Sequence, residues 1–155
     1  MKNIVELLIK KKKTISTMES CTGGAISNYI TNIPDSSMVF SYGAVTYSNE
    51  FKIKMGVNKD IIEKFSVYSM ETARNMAKTI SEFTNSSFGV GVTGKLKKSD
   101  PFNQNGEDDL CYLSIYDKES DKYYDEIIKV VHDTREENKN QIIHIFVEKL
   151  INILK

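Results

Sequence analysis

The sequence predicts an α/β fold, a three-layer α/β/α sandwich built around a mixed sheet. Helical patterns stand before and after several strand patterns along the 155-residue chain, as expected of a layered fold. The strand patterns 110–116 and 122–131 follow each other directly across the polar segment 117–121, which predicts a β-hairpin. A hairpin beside strands that are linked through helices makes the sheet mixed.

Apolar periodicity defines the elements in chain order. Residues recurring at i, i+3 and i+4 predict helices, whereas alternating or β-branched runs predict strands. The predicted helices are 2–11, 22–31, 59–64, 70–83 and 135–153, and the predicted strands are 14–18, 38–47, 88–93, 110–116 and 122–131.

Two long helices carry the clearest apolar stripes, and we expect both stripes to belong to the core. Ser69 stands before helix 70–83 as its expected N-cap. The stripes consist of Ala73, Met76, Ala77, Ile80 and Phe83 in that helix, and of Ile142, Ile143, Phe146, Val147, Leu150 and Leu154 in the last one. The long irregular segment is 95–109, rich in Lys, Asp, Asn and Gly; loops of this length are often functional or disordered.

Composition limits the class of protein. A chain of this length is expected to form one domain, 1–155. Its formal net charge of zero argues against a broad nucleic-acid surface, and no apolar run approaches the roughly 18 residues of a membrane span. Cys21 and Cys111 lack metal-ligand spacing, and no secretory context argues for pairing them, so we expect a reduced, cytoplasmic protein. We also expect no cofactor.

The segment 17–24 turns from a strand into a helix through small polar residues and glycines. Such a turn presents backbone N–H groups to an anion and can hold an exposed nucleophile. Ser20 is the candidate nucleophile, and the N–H groups of Cys21, Thr22, Gly23 and Gly24 are candidate oxyanion donors. Ordinary helix capping by these residues is the alternative explanation of the same pattern.

A second candidate cluster follows the strand 38–47. If this strand is parallel to strand 14–18, both end at the same sheet edge, where open α/β sheets bind ligands. Lys52 would then reach Ser20 as a base, provided that burial lowers the pKa of its amine, and Tyr47 would polarise the same hydroxyl. A solvated surface lysine is the alternative for Lys52.

The third strand, 88–93, ends in another Thr-Gly turn, formed by Thr93 and Gly94. Arg135 lies near the start of the last helix, where its guanidinium could bind a phosphate through two parallel hydrogen bonds.

Taken together, these motifs resemble the CinA C-terminal-domain family, which includes nicotinamide-nucleotide amidohydrolases. The resemblance is carried by Glu-Ser-Cys-Thr-Gly-Gly at 19–24, Tyr-Ser-Asn-Glu-Phe-Lys at 47–52, Gly-Val at 56–57, Val-Thr-Gly at 92–94 and Asp-Thr-Arg-Glu-Glu at 133–137. It covers essentially the whole chain, so we expect a stand-alone domain without the N-terminal half of the larger proteins.

The resemblance implies that the protein hydrolyses the carboxamide of nicotinamide mononucleotide to the nicotinate nucleotide and ammonia, without a metal. By matching positions, it implies that Ser20, Lys52 and Tyr47 are catalytic. It also implies a small-molecule nucleotide partner and a homo-oligomer. The substrate-binding residues expected on this basis are Glu19, Cys21, Thr22, Gly23, Gly24, Thr93, Gly94 and Arg135.

The chain departs from the family pattern beyond the third strand. Segment 95–101 replaces an Ile-Ala-Gly-Pro string, and 107–112 replaces a Lys-Pro-Val-Gly-Thr-Val strand entry. Segment 65–69 replaces a His-Gly-Ala-Val-Ser string, and Lys139 stands where an arginine is common. The alternative function is therefore a catalytically impaired nucleotide-binding or regulatory protein.

Overall fold

The computed structural model describes residues 2–97 and 107–155. Residues 98–106 of the predicted loop lie outside the described residues. The helices are α1 (Ile4–Lys11), α2 (Ala25–Thr31), α3 (Asn49–Lys54), α4 (Lys59–Phe65), α5 (Met70–Thr84) and α6 (Arg135–Leu154). The strands are β1 (Ile15–Glu19), β2 (Phe40–Val45), β3 (Phe88–Gly94), β4 (Leu110–Asp117) and β5 (Lys122–Lys129), and a 3-10 turn (Ser36–Met38) precedes β2.

The five strands form one mixed sheet in the order β2-β1-β3-β4-β5. β1 pairs in parallel with both β2 and β3, while β4 and β5 add antiparallel strands as the predicted hairpin. The mixed α/β architecture is therefore confirmed. Since β1, β2 and β3 run in the same direction, their carboxyl ends share one edge of the sheet, and the candidate site lies there.

Helices cover both faces of the sheet and complete the three layers. On one face, α1, α2 and α6 pack on apolar side chains of β1, β3 and β4. On the other face, α4 and α5 enclose a smaller core around Met18 and Ala44. Helix α5 approaches the sheet closely because β3 presents glycines to it: a Cβ at Gly91 would lie 2.1 Å from the carbonyl oxygen of Ala73.

Four details differ from the sequence predictions. Helix α2 begins at Ala25 because residues 20–24 form a tight turn, and β2 begins two residues late because the 3-10 turn precedes it. Helix α3 was not predicted; the Ser48 side chain starts it by accepting a hydrogen bond from the Phe51 N–H. Phe83 is 63% exposed: near the end of α5 its ring lies 5.5 Å from that of Tyr42, which is itself exposed on the edge strand β2, so the pair stays at the surface.

Candidate active site

Ser20 lies directly after β1, at the shared carboxyl edge. Its N–H continues the ladder by donating to the Val92 carbonyl at 3.0 Å. Glu19 is paired with Val45 of β2 and with Val92 of β3. Ser20, the next residue, therefore lies between Thr46 and Thr93, the next residues along the two neighbouring strands. The hydroxyl side chains of these three residues therefore lie side by side at the sheet edge, on the face covered by α5.

Lys52 brings its amine to this serine from α3. Its side chain is 1% exposed, and Nζ lies 2.9 Å from Ser20 Oγ. The same Nζ donates to the carbonyl oxygen of Thr46 at 2.7 Å, and the Thr46 N–H donates to the Glu19 carbonyl at 2.8 Å. The structure thus places the predicted serine and lysine in direct contact and buries the lysine, contrary to the surface alternative.

The loop after Ser20 is shaped to leave N–H groups available. The Gly23 N–H closes the turn onto the Ser20 carbonyl at 2.9 Å, and φ is +62° at Gly23 and +100° at Gly24. Within the described part of the chain, no hydrogen bond uses the N–H groups of Cys21 or Thr22. Successive N–H groups in such a turn form a concave site for an anionic oxygen.

Helix capping at this turn is performed by Glu19, not by the small residues of the loop. The Glu19 carboxylate is fully buried; Oε1 accepts from the Thr22 hydroxyl at 2.7 Å and the Ile26 N–H at 2.8 Å. Oε2 accepts from the N–H and hydroxyl of Ser27 at 3.0 and 2.7 Å. Gly24 is the N-cap residue of α2 but, as a glycine, has no side chain that could cap the helix. Glu19, predicted to bind substrate, therefore faces inward and holds the loop in position.

Tyr47 and Arg135 form the rim of the site. Tyr47 is 64% exposed, and its hydroxyl accepts a hydrogen bond from the Arg135 guanidinium at 3.1 Å. The tyrosine hydroxyl thus contacts the predicted phosphate ligand rather than Ser20. Both side chains stand in solvent, which suits residues that meet an incoming substrate.

The remaining predicted residues form the wall beside β3. The Thr93 hydroxyl donates to the Val67 carbonyl at 3.0 Å, and a Cβ at Gly94 would lie 2.5 Å from Cα of Cys111. Cys21 and Cys111 are free, buried thiols with Sγ atoms 4.0 Å apart. The hydrogen-bonded contact with Cys21, together with burial, raises the pKa of the Cys111 thiol. These thiols are therefore packing groups behind the loop.

Two buried polar side chains at this edge, Thr46 and Lys95, were not singled out from the sequence. Thr46 directly precedes the Tyr47 motif, and Lys95 directly follows the Thr-Gly turn, so position next to a motif was the available signal. Within residues 2–97 and 107–155, no group of three or more His, Cys, Asp or Glu could hold a metal ion. Over the same ranges, no helix has the length and apolar character to cross a membrane.

Comparison with known proteins links this site to a family. A family model described as the CinA C-terminal domain matches residues 1–154. A putative competence-damage inducible protein of Clostridium beijerinckii is 52% identical over 92 residues, which are 59% of this chain and 22% of that protein. A protein of the same description from Clostridium kluyveri is 42% identical over 113 residues, 72% of this chain and 27% of that protein. The chain thus matches only about a quarter of these relatives' length.

Solved structures share the fold. Competence/damage inducible protein CihA from Agrobacterium tumefaciens has a TM-score of 0.83 at 28% identity, covering 100% of this chain and 98% of the other. A CinA superfamily protein from Klebsiella pneumoniae has a TM-score of 0.86 at 20% identity, covering 97% and 92%. The family model spans nearly the whole chain and the fold agrees throughout. The chain belongs to the CinA C-terminal domain family.

Proposed function

We propose that the protein is an amidohydrolase that converts nicotinamide mononucleotide to nicotinate mononucleotide and ammonia, with Ser20 as nucleophile and Lys52 as general base. One observation carries the proposal: a buried lysine amine lies 2.9 Å from the hydroxyl of a serine at the end of a parallel strand. A serine hydroxyl attacks an amide only when a base takes its proton, and this amine is within reach.

The first step is acylation of Ser20. Removal from water favours the uncharged form of an amine. In that form, Lys52 can donate one N–H to the Thr46 carbonyl while its lone pair faces the Ser20 hydroxyl. The hydroxyl proton moves to Nζ as Oγ bonds to the carboxamide carbon. The Thr46 carbonyl therefore orients the base as well as holding it.

The tetrahedral intermediate then expels ammonia. Its negative oxygen fits the concave turn where the N–H groups of Cys21 and Thr22 are available. The carbon–nitrogen bond breaks as protonated Lys52 returns its proton to the leaving nitrogen. Water, deprotonated by the same amine, next attacks the ester carbon, and Ser20 leaves with the proton. The products are the nicotinate nucleotide and free enzyme.

The nucleotide part of the substrate is proposed to lie along the rim. Arg135, exposed at the start of α6 and in contact with the Tyr47 hydroxyl, is the proposed phosphate ligand. Residues 22–24 of the loop are proposed to hold ribose and phosphate. We also propose that the protein acts in the cytoplasm as a homo-oligomer.

Ammonia release from nicotinamide mononucleotide tests the proposal. The wild-type protein is expected to release ammonia, Ser20→Ala to release none, and Ser37→Ala, a control at an exposed serine, to match wild type. Calorimetric titration with the same nucleotide accompanies the assay. Binding without ammonia release would reject the amidohydrolase in favour of a nucleotide-binding regulatory protein.

A further inference from the structure

Two buried side-chain polar atoms of the described residues have no hydrogen-bond partner: Thr46 Oγ1 and Lys95 Nζ. Both belong to the carboxyl edge of the sheet. Thr46 follows β2 and Lys95 follows β3, so they flank the strand that carries Ser20. A buried polar atom without a partner costs free energy, and such atoms on both sides of a nucleophile indicate a site that a ligand completes.

Lys95 shares the face of the nucleophile. Thr93 stands beside Ser20 in the sheet register, and Lys95 is two residues further along the same strand direction. Side chains two residues apart leave the same face, and a rise of about 3.3 Å per residue puts the Lys95 Cα about 7 Å beyond Thr93. The Thr93 hydroxyl is fixed to Val67, and Lys95 Nζ lies over the ring of the adjacent Tyr68, 4.8 Å from its centroid.

The surroundings of the Lys95 amine are incomplete for an ammonium ion. Its side chain is 1% exposed, and Oδ1 of Asp108 lies 3.6 Å from Nζ. That separation allows ion pairing but exceeds a hydrogen bond, so among residues 2–97 and 107–155 the three N–H donors meet the Tyr68 ring and this carboxylate but no hydrogen-bond acceptor. Asp108 is 57% exposed, so its carboxylate can turn away into solvent.

We propose that Lys95 binds an anionic group of the amide substrate, a phosphate or a carboxylate, which replaces Asp108 and hydrogen-bonds the amine. This inference rests on the proposed function for the position of the amide at Ser20, but the anion site itself is tested by binding. An anion at hydrogen-bond distance would satisfy donors that the free protein leaves unused, so Lys95 would select anionic over neutral amides.

The test measures binding by calorimetry in the Ser20→Ala background, where turnover does not interfere. The ligands are nicotinamide mononucleotide, nicotinamide riboside without phosphate, and succinamate, a carboxylate-bearing amide. Lys95→Met is expected to weaken the binding of an anionic ligand by about tenfold or more and to leave the affinity for the riboside unchanged. Weaker binding of the nucleotide identifies the group bound by Lys95 as a phosphate, and weaker binding of succinamate identifies it as a carboxylate. Lys97→Met, at an exposed lysine two residues on, is the control and should change neither.

Thermal unfolding of the free protein separates binding from a structural role. Removing an incompletely satisfied buried cation should raise the Tm of Lys95→Met by ~2–5 °C, whereas losing a structural lysine would lower it. The proposal is overturned by a lower Tm, by equal weakening of the binding of the riboside, which bears no anionic group, and of the two ligands that bear one, or by no binding of any of the three. If Lys95→Met loses anion binding but the Ser20-containing protein releases no ammonia, only the amidohydrolase proposal fails.

Discussion

Glu19→Gln tests whether a buried carboxylate holds the nucleophile loop. The glutamine carbonyl can keep the bonds to the Thr22 hydroxyl and the Ile26 N–H, but its NH₂ group then faces the Ser27 N–H across what was a 3.0 Å bond. Two donors cannot pair, so one buried N–H loses its acceptor and the other bonds lose the charge that strengthened them. We expect the free energy of unfolding to fall by about 2–4 kcal/mol.

Urea denaturation and thermal unfolding measure this effect. For a chain of this size, the expected loss corresponds to a Tm lower by roughly 5–10 °C. Glu50→Gln is the matched control, because Glu50 pairs with Lys54 on an exposed helix face and should change stability by no more than about 0.5 kcal/mol. Ammonia release by the remaining folded Glu19→Gln should also drop, since the loop after Ser20 loosens. A variant as stable as the control would refute the assigned role of Glu19.

Other parts of the molecule give three further tests. Lys52→Met should lower kcat by ~10²–10⁴ while the exposed neighbour Lys54→Met does not, and a normal kcat would remove Lys52 as the base. Gly91→Ala should lower the free energy of unfolding by at least ~3 kcal/mol in urea denaturation, because its Cβ would stand 2.1 Å from the Ala73 oxygen; wild-type stability would contradict that contact. The raised pKa keeps the Cys111 thiol protonated as pH rises, so iodoacetamide should label it no faster at pH 9 than at pH 7 in the native protein, whereas labelling in urea should accelerate.

The main elements of the fold could be predicted because helices and hairpins leave recognisable patterns within short stretches of sequence. The α5 and α6 stripes and the hairpin across residues 117–121 follow from apolar spacing and polar turns, and each appears in the structure within a few residues. Helix α3 escaped prediction because six residues with one cap carry too little periodicity to stand out beside a strand ending. Phe83 fits the period of its helix, yet it is exposed because its ring partner on the edge strand, Tyr42, is exposed as well, and helical periodicity does not reveal that partner.

The features of the candidate site also divide into those that the sequence predicts and those that it does not. The strand pattern predicts contact between Ser20 and Lys52 on the condition that strands 14–18 and 38–47 are parallel, and β1 and β2 meet that condition; the proposed catalytic roles of the two residues come from the family resemblance. The direction of the Glu19 side chain could not, because a residue at a strand end can face either the loop or the pocket, and only the α2 N–H groups decide between them. Tyr47 differs from its predicted contact for a related reason: Arg135 reaches it from the far end of the chain.

In the proposed mechanism, the burial of Lys52 also gives α3 a purpose. An exposed lysine at the sheet edge would stay charged in water and could not accept a proton from Ser20. Helix α3 removes the Lys52 amine from water, and the Thr46 carbonyl fixes its direction toward Oγ. The same edge also exposes the ends of three strands, whose hydroxyls and N–H groups must find partners there. Stability and the proposed catalysis are thus opposed at one place, and Glu19, wholly engaged in internal hydrogen bonds, offsets the cost of the unpaired polar groups around Ser20.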